Sequence, residues 1–222
     1  MAEEVFMDRV EAGRLLGDRL RLKYGKLSDA LILALPRGGV PVAYEVARKL
    51  ELPLDLVLVR KLGLPGHEEL AMGAIASGGA IVLNTELLSH LPVSAATIDH
   101  VTSQERRELA RRERAYRGDR PQPRITNRTA ILVDDGLATG STMRAAIAAV
   151  RQADPEQVIV AVPVAPPDTV DALANEADDV IALRTPASFL GVGHWYREFP
   201  QTSDDEVRGL LARVWSKQPE VT

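Results

Sequence analysis

The chain has 222 residues, 45% of them hydrophobic and 26% charged, with a formal net charge of −4 and no cysteine. These values suit one α/β domain or two small ones. They exclude disulfides and thiolate metal sites and argue against a general nucleic-acid binder. No apolar run approaches the roughly 20 residues of a membrane-spanning helix. The start, MAEEVFMDRVEAG, is acidic and amphipathic and unlike a signal peptide. A cytoplasmic protein with no membrane association is therefore expected.

In chain order, 6–22 reads as an amphipathic helix capped by Asp8, with Val10, Leu15, Leu16 and Leu20 on one side. ALILAL (30–35) is a continuous apolar run of strand length, interrupted by PRGG. A second helix runs through VPVAYEVARKL, and LDLVLVRKL from Leu54 is the next strand. GLPGHEEL reads as a loop, and AMGAIASGGAIVLN as a hairpin turning at Gly78-Gly79. The spacing then predicts one helix over 85–117, ending in GDRPQP. A strand, turn and helix follow over 130–146, then the apolar runs QVIVAVPVA and DDVIAL, and a C-terminal helix over about 204–215. Strands alternating with helices imply right-handed crossovers and a mostly parallel sheet flanked by helices. In such a sheet ligands bind beyond the carboxyl ends of the strands. Three loops leave such ends: PRGG, RKLGLPGHEEL and DDGLATGST.

The third loop carries the most chemistry. An apolar run stops at Asp134-Asp135, and the small turn ATGST (138–142) opens a helix whose stripe is Met143, Ile147 and Val150. Ala138 and Gly140 admit an anion to the backbone, and Thr139, Ser141 and Thr142 offer hydroxyls to it. The Gly-Lys-Ser/Thr ending of the nucleotide P-loop is absent. Adjacent carboxylates beside an anion cradle repel one another and the anion. One ligand carrying both a phosphate and a vicinal diol, such as a ribose 5-phosphate, removes the conflict.

ILVDDGLATGSTM closely resembles the signature of the type I phosphoribosyltransferases, which bind 5-phosphoribosyl 1-pyrophosphate. The resemblance implies that family's fold, a mostly parallel sheet with a small hood and a mobile hairpin loop, as a single domain over 1–222. It implies that Asp134 and Asp135 hold the ribose hydroxyls and Mg²⁺, and that Ala138, Thr139, Gly140, Ser141 and Thr142 hold the 5′-phosphate. LPRGGVPVA looks like the family's pyrophosphate loop, with Arg37 clamping phosphate oxygens beside Gly38 and Gly39. LVRKLGLPGHEELAMGA resembles the mobile catalytic loop, most like the adenine-using branch, with Arg60 and Lys61 toward the leaving pyrophosphate. The partners implied are the donor, a small nitrogenous base and a second copy of the chain in a homodimer.

Ala138 stands where the 6-oxopurine branch has an acid, which disfavours that class of acceptor. Glu68 or Glu69 is the remaining acid–base candidate, and His67 reads as a loop histidine. The hood falls in 85–125 or 186–222. In the latter, His194, Trp195, Tyr196 and Phe199 either stack on a base or form a satellite core docking the C-terminal helix. The arginine-rich stretch around Arg106, Arg107, Arg111, Arg112 and Arg114 is interleaved with Glu105, Glu108 and Glu113. It reads as a solvated or subunit-facing helix beside the active site. Two functions are open: a Mg²⁺-dependent phosphoribosyl transfer, or a ligand-sensing regulator that keeps the donor site and binds nucleic acid. The intact mobile loop and the acidic net charge favour the enzyme, and nucleic acid is not expected as a partner. A Rossmann oxidoreductase is disfavoured by the lack of Gly-x-Gly-x-x-Gly after the first strand.

Overall fold

A computed structural model describes residues 4–216, apart from the side chains of Glu68, Glu69 and Glu86. Its elements run α1 (Arg9–Tyr24), β1 (Ala30–Ala34), α2 (Gly39–Leu50), β2 (Leu54–Leu56), β3 (Val59–Leu64), β4 (His67–Ala76), β5 (Ile81–Leu83), α3 (Thr85–His90) and α4 (Ala95–Arg117). They continue through β6 (Thr129–Val133), α5 (Ser141–Arg151), β7 (Gln157–Val164), α6 (Pro167–Leu173), β8 (Asp179–Arg184) and α7 (Asp204–Trp215).

The five apolar runs form one parallel sheet in the order β2-β1-β6-β7-β8. Both faces are covered, so the strands are apolar throughout rather than alternating. Ile32 and Ile131 face one core with Leu16, Leu20 and Val46. Leu31, Leu33 and Leu132 face the other with Met143, Ile147 and Val150, the stripe expected of α5. From β1 the chain steps outward to β2, and from β6 it steps the opposite way to β7 and β8. The strand order thus reverses between β1 and β6, the position at which open α/β sheets bind ligands.

Three elements differ from the sequence expectation. LDLVLVRKL is not one strand: the chain leaves the parallel sheet after Leu56, and Val59 begins a separate antiparallel sheet, β3-β4-β5. GLPGHEEL is not an irregular loop: β3 pairs with β4 and turns at Pro65-Gly66, with His67 as the exposed first residue of β4. The helix expected over 85–117 is two helices, broken around Pro92, which has no backbone N–H to continue the first. Asp8 caps α1 as expected, accepting from Glu11 N at 2.8 Å.

α4 is pinned to the sheet by a buried ion pair. Arg117 Nη1 lies 2.6 Å from Asp55 Oδ1, and Nη2 donates to Leu56 O at 3.2 Å. Burial raises the Asp55 carboxyl above its usual range in spite of Arg117. Removing one partner strands the other charge, so Asp55→Ala is expected to cost about 3–5 kcal/mol in urea denaturation. Asp55→Leu combined with Arg117→Met is expected to cost distinctly less, because neither charge is then left buried.

Candidate active site

The loops after β1 and β6 meet at the reversal of strand order, each opening a helix. α2 has Gly38 as its N-cap and α5 has Gly140, neither helix has a side-chain cap, and neither carries an acid in its first turn. By contrast α1, α3, α4 and α7 are capped by Asp8, Asn84, Ser94 and Ser203. Neither start has an N-cap side chain: Gly39 N and Val40 N donate back to Leu35 O and Arg37 O at 3.1 Å, Ser141 N reaches Thr139 Oγ1 at 3.5 Å, and the helix dipole favours negative charge beyond them.

Glycine at 38 is a matter of space. A Cβ there would stand 2.0 Å from Asp135 Oδ2, so the PRGG loop can lie against the aspartate pair only without a side chain. The Pro36–Arg37 peptide is cis. Gly140, at φ 71°, takes the left-handed turn that starts α5, and a Cβ there would meet Thr169 at 2.9 Å.

Asp135 is buried and Asp134 half-buried. Asp134 Oδ1 accepts from Asp135 N at 2.8 Å, and Asp135 Oδ2 accepts from Arg9 Nε at 2.8 Å. Tyr196 OH donates to Asp135 O at 2.5 Å. Burial, then the neighbouring Asp135 charge, holds the Asp134 carboxyl well above its usual range. Burial also raises Asp135, against the pull of Arg9. The pair resists carrying two negative charges until a ligand supplies hydroxyl donors or positive charge.

The cradle lies next along the chain. Thr139, Ser141 and Thr142 are exposed at the open end of α5, with Thr139 Oγ1 and Ser141 Oγ 3.0 Å apart. Thr169 Oγ1 donates to Ala138 O at 2.7 Å and fixes the turn from behind.

Two cavities sharing Pro36 and Arg37 form the cleft. One, of about 520 Å³, is lined by the aspartate pair, Gly38, Arg9, Val192 and the segment 199–202. The other, of about 230 Å³, carries Arg37, Arg60, Arg111 and Arg112 against a single acid, Asp204, and reaches Thr142. Each arginine has a carboxylate partner: Arg37 with Asp204 at 3.6 Å, Arg60 with Glu105 at 2.6 Å, and Arg111 and Arg112 with Glu108 at 2.8 and 2.9 Å. The two α4 arginines hold Glu108 down to about 2. Tyr116 donates to Asp204 at 2.6 Å, and burial followed by that bond pushes its hydroxyl up to about 12.

Six of the twelve expected site residues line the two cavities. Arg37, Gly38, Asp134 and Asp135 line the larger cavity, while Arg37, Arg60 and Thr142 line the smaller. Lys61, an exposed neighbour of Arg60 in β3, is not among the lining residues. The side chains of Glu68 and Glu69 lie outside the described residues. Trp195 and Tyr196 form a satellite core, but with Phe6, just before α1, and Ala12 of α1 rather than with the C-terminal helix. Both faces of the Phe199 ring are taken, by Arg9 at 3.8 Å and Tyr196 at 4.8 Å. Arg9 was not singled out by the sequence pattern, and Arg111 and Arg112 face the cavity while also forming the expected pairs with Glu108.

Among the described residues no cluster of three or more histidines, cysteines or carboxylates could hold a metal ion. Two carboxylates, one engaged by Arg9, fit an ion such as Mg²⁺ that takes most of its ligands from water and substrate phosphates.

A family model described as the phosphoribosyl transferase domain matches residues 10–194. Rv0571c of Mycobacterium tuberculosis, named provisionally as a phosphoribosyl transferase, is 47% identical over 211 residues, covering 95% of this chain and 47% of that protein. Its counterpart in a second strain matches to the same extent. The chain thus spans about half the length of the curated relatives it matches. Among solved structures, TT1426 from Thermus thermophilus is similar at a TM-score of 0.85 and 41% identity, over 95% of this chain and 99% of that chain. No helix among the described residues is long and apolar enough to cross a membrane.

The raised carboxyl has a thermodynamic consequence. A carboxyl with a raised folded-state pKa binds more protons folded than unfolded, so its contribution to stability falls as pH rises above the ordinary carboxylate range. Asp134→Asn removes that loss. In metal-free buffer it is expected to raise the melting temperature by about 2–4 °C per kcal/mol recovered, more at pH 8 than at pH 5. Equal shifts at the two pH values would contradict this account of the pair.

Proposed function

The chain belongs to the phosphoribosyltransferase family, and we propose that it transfers phosphoribose from 5-phosphoribosyl 1-pyrophosphate to a nitrogenous base, releasing pyrophosphate. The observation that carries this reading is that three features border one cleft. An aspartate pair lines one lobe, four arginines line the other, and the uncapped start of α5 with its three hydroxyls reaches the arginine lobe through Thr142. They match the ribose diol, the pyrophosphate and the 5-phosphate of a single donor.

In this reading the N–H groups of α5, with Thr139, Ser141 and Thr142, bind the 5-phosphate, and Ala138 and Gly140 let it approach. Asp134 and Asp135 accept from the ribose hydroxyls. The bond from C1 to the pyrophosphate oxygen breaks, and its electron pair leaves on the pyrophosphate. A base nitrogen then donates its lone pair to C1. Positive charge on the ring during this exchange is stabilised by the two carboxylates. Arg37, Arg60, Arg111 and Arg112 neutralise the leaving group, their present carboxylate partners giving way to phosphate oxygens. Asp134 and Asp135 would hold Mg²⁺, which would supply further neutralisation of the pyrophosphate. Lys61 joins the phosphates when the β3-β4 hairpin closes over the cleft, and closure keeps water from the reactive sugar. The regulator alternative depended on a nucleic-acid face on α4. Arg111 and Arg112 being turned to the cavity and paired with Glu108 weighs against it.

The donor assignment is tested by calorimetry. Asp134→Asn with Asp135→Asn is expected to weaken binding of 5-phosphoribosyl 1-pyrophosphate at least about tenfold, roughly 1.4 kcal/mol. Unchanged affinity would remove the aspartates from the site.

Turnover is tested with a panel of nitrogenous bases, donor and Mg²⁺, scored by pyrophosphate release. With an accepted base, Lys61→Ala and Arg111→Gln/Arg112→Gln are each expected to lower kcat more than donor affinity, since both neutralise charge that grows as the bond breaks. A donor that binds but yields no pyrophosphate with any base would favour a sensor over an enzyme.

A further inference from the structure

Arg9 lies just before the segment that the family model matches and 126 positions from Asp135, the carboxylate it holds. Its guanidinium makes three contacts in three directions. Nε donates to Asp135 Oδ2 at 2.8 Å, Nη1 donates to Pro200 O at 2.7 Å, and the flat face lies 3.8 Å over the Phe199 ring. Phe199 stacks on its other side against Tyr196, whose hydroxyl returns to Asp135 O. Arg9, Asp135, Tyr196 and Phe199 therefore form a closed ring of contacts around the floor and one wall of the larger cavity.

The Arg9 side chain is only 10% exposed. Taking a guanidinium out of water is costly unless its partners are well placed, and here they are. Lysine would keep the charge but lose both the fork and the flat face. The remaining neighbours leave Asp135 little freedom: Gly38 presses on its carboxylate from the PRGG loop. Asp135 would otherwise face Asp134 with no compensating charge from the protein at its Oδ2.

We infer that Arg9 is a positioning residue for donor binding, which fixes the Asp135 carboxylate toward the cleft and fastens the 199–202 wall to it. The inference rests on the donor site proposed above. It assigns Asp135 a divided role, one oxygen held by the Arg9 guanidinium, whereas Asp134 gives one oxygen to the Asp135 amide. It also makes the start of α1 part of the site, although no recognised motif lies there.

A double-mutant cycle tests it, with affinity for 5-phosphoribosyl 1-pyrophosphate and Mg²⁺ read by calorimetry on wild type, Arg9→Ala, Asp135→Asn and the double variant. Arg9→Ala is expected to weaken donor binding about tenfold, and Arg9→Lys to recover only part of that. In the Asp135→Asn background the same change is expected to alter affinity by less than about twofold, because its effect passes through Asp135. Equal losses in both backgrounds would mean a general structural role and overturn the inference, as would donor binding by Arg9→Ala equal to wild type. If Arg9→Ala does not fold, Arg9→Gln completes the same cycle. A wild-type protein that itself gives no donor binding would overturn the donor-site reading, and this inference with it.

Discussion

Two carboxylates placed side by side at a buried strand end, next to an uncapped helix start, are the constraint around which this molecule is arranged. Asp134 and Asp135 end β6 at the one point in the sheet where the strand order reverses, and burial gives them little water to relieve their repulsion. Compensation comes from several directions. Arg9 reaches in from α1, and α2 presents its uncapped N-terminus through Gly38. The first turn of α5 is free of acids, so the anion cradle is not made more negative still. The PRGG sequence follows from this, with glycine where its backbone must touch a carboxylate.

Balanced charge also describes the arginine lobe. Arg37, Arg60, Arg111 and Arg112 come from the β1 loop, the hairpin and α4, and each is held by a carboxylate. Such pairs at partly exposed positions contribute little to stability. They do keep long side chains aimed at one cavity, so that the cations stand there already in place.

The parallel sheet was legible because its strands are buried on both faces and therefore appear as unbroken apolar runs. The departure from the sheet after Leu56 was not legible, since Val57, Leu58 and Val59 continue the apolar pattern without a glycine or proline to mark the break. Pro92 did mark the break in the helix expected over 85–117, but the polar periodicity on either side hides it. The loops after β1 and β6 were legible because each is a contiguous motif at a strand end. Arg9 and the Asp55–Arg117 pair were not, because what makes them matter is a partner far away in sequence. The direction of the α4 arginines was not either, for charge alternation on a helix shows that pairs can form but not which side meets a cavity.

The pleat of β3 makes the hairpin a two-sided device. Arg60 lines the cleft and Lys61, the next residue, is exposed and does not, so which cation meets the open cleft depends on position along the strand, and Lys61 reaches it only on closure. Register shifts lie only beyond this point, at Leu62/Gly63 and Gly63/Leu64, so the irregular pairing is confined to the side nearer the tip. The short passage from β2 to Arg60 thus acts as a ruler. Adding or removing one residue there, harmless in most surface connections, would turn the strand over and exchange a forked, planar cation for a point charge at the mouth of the cleft.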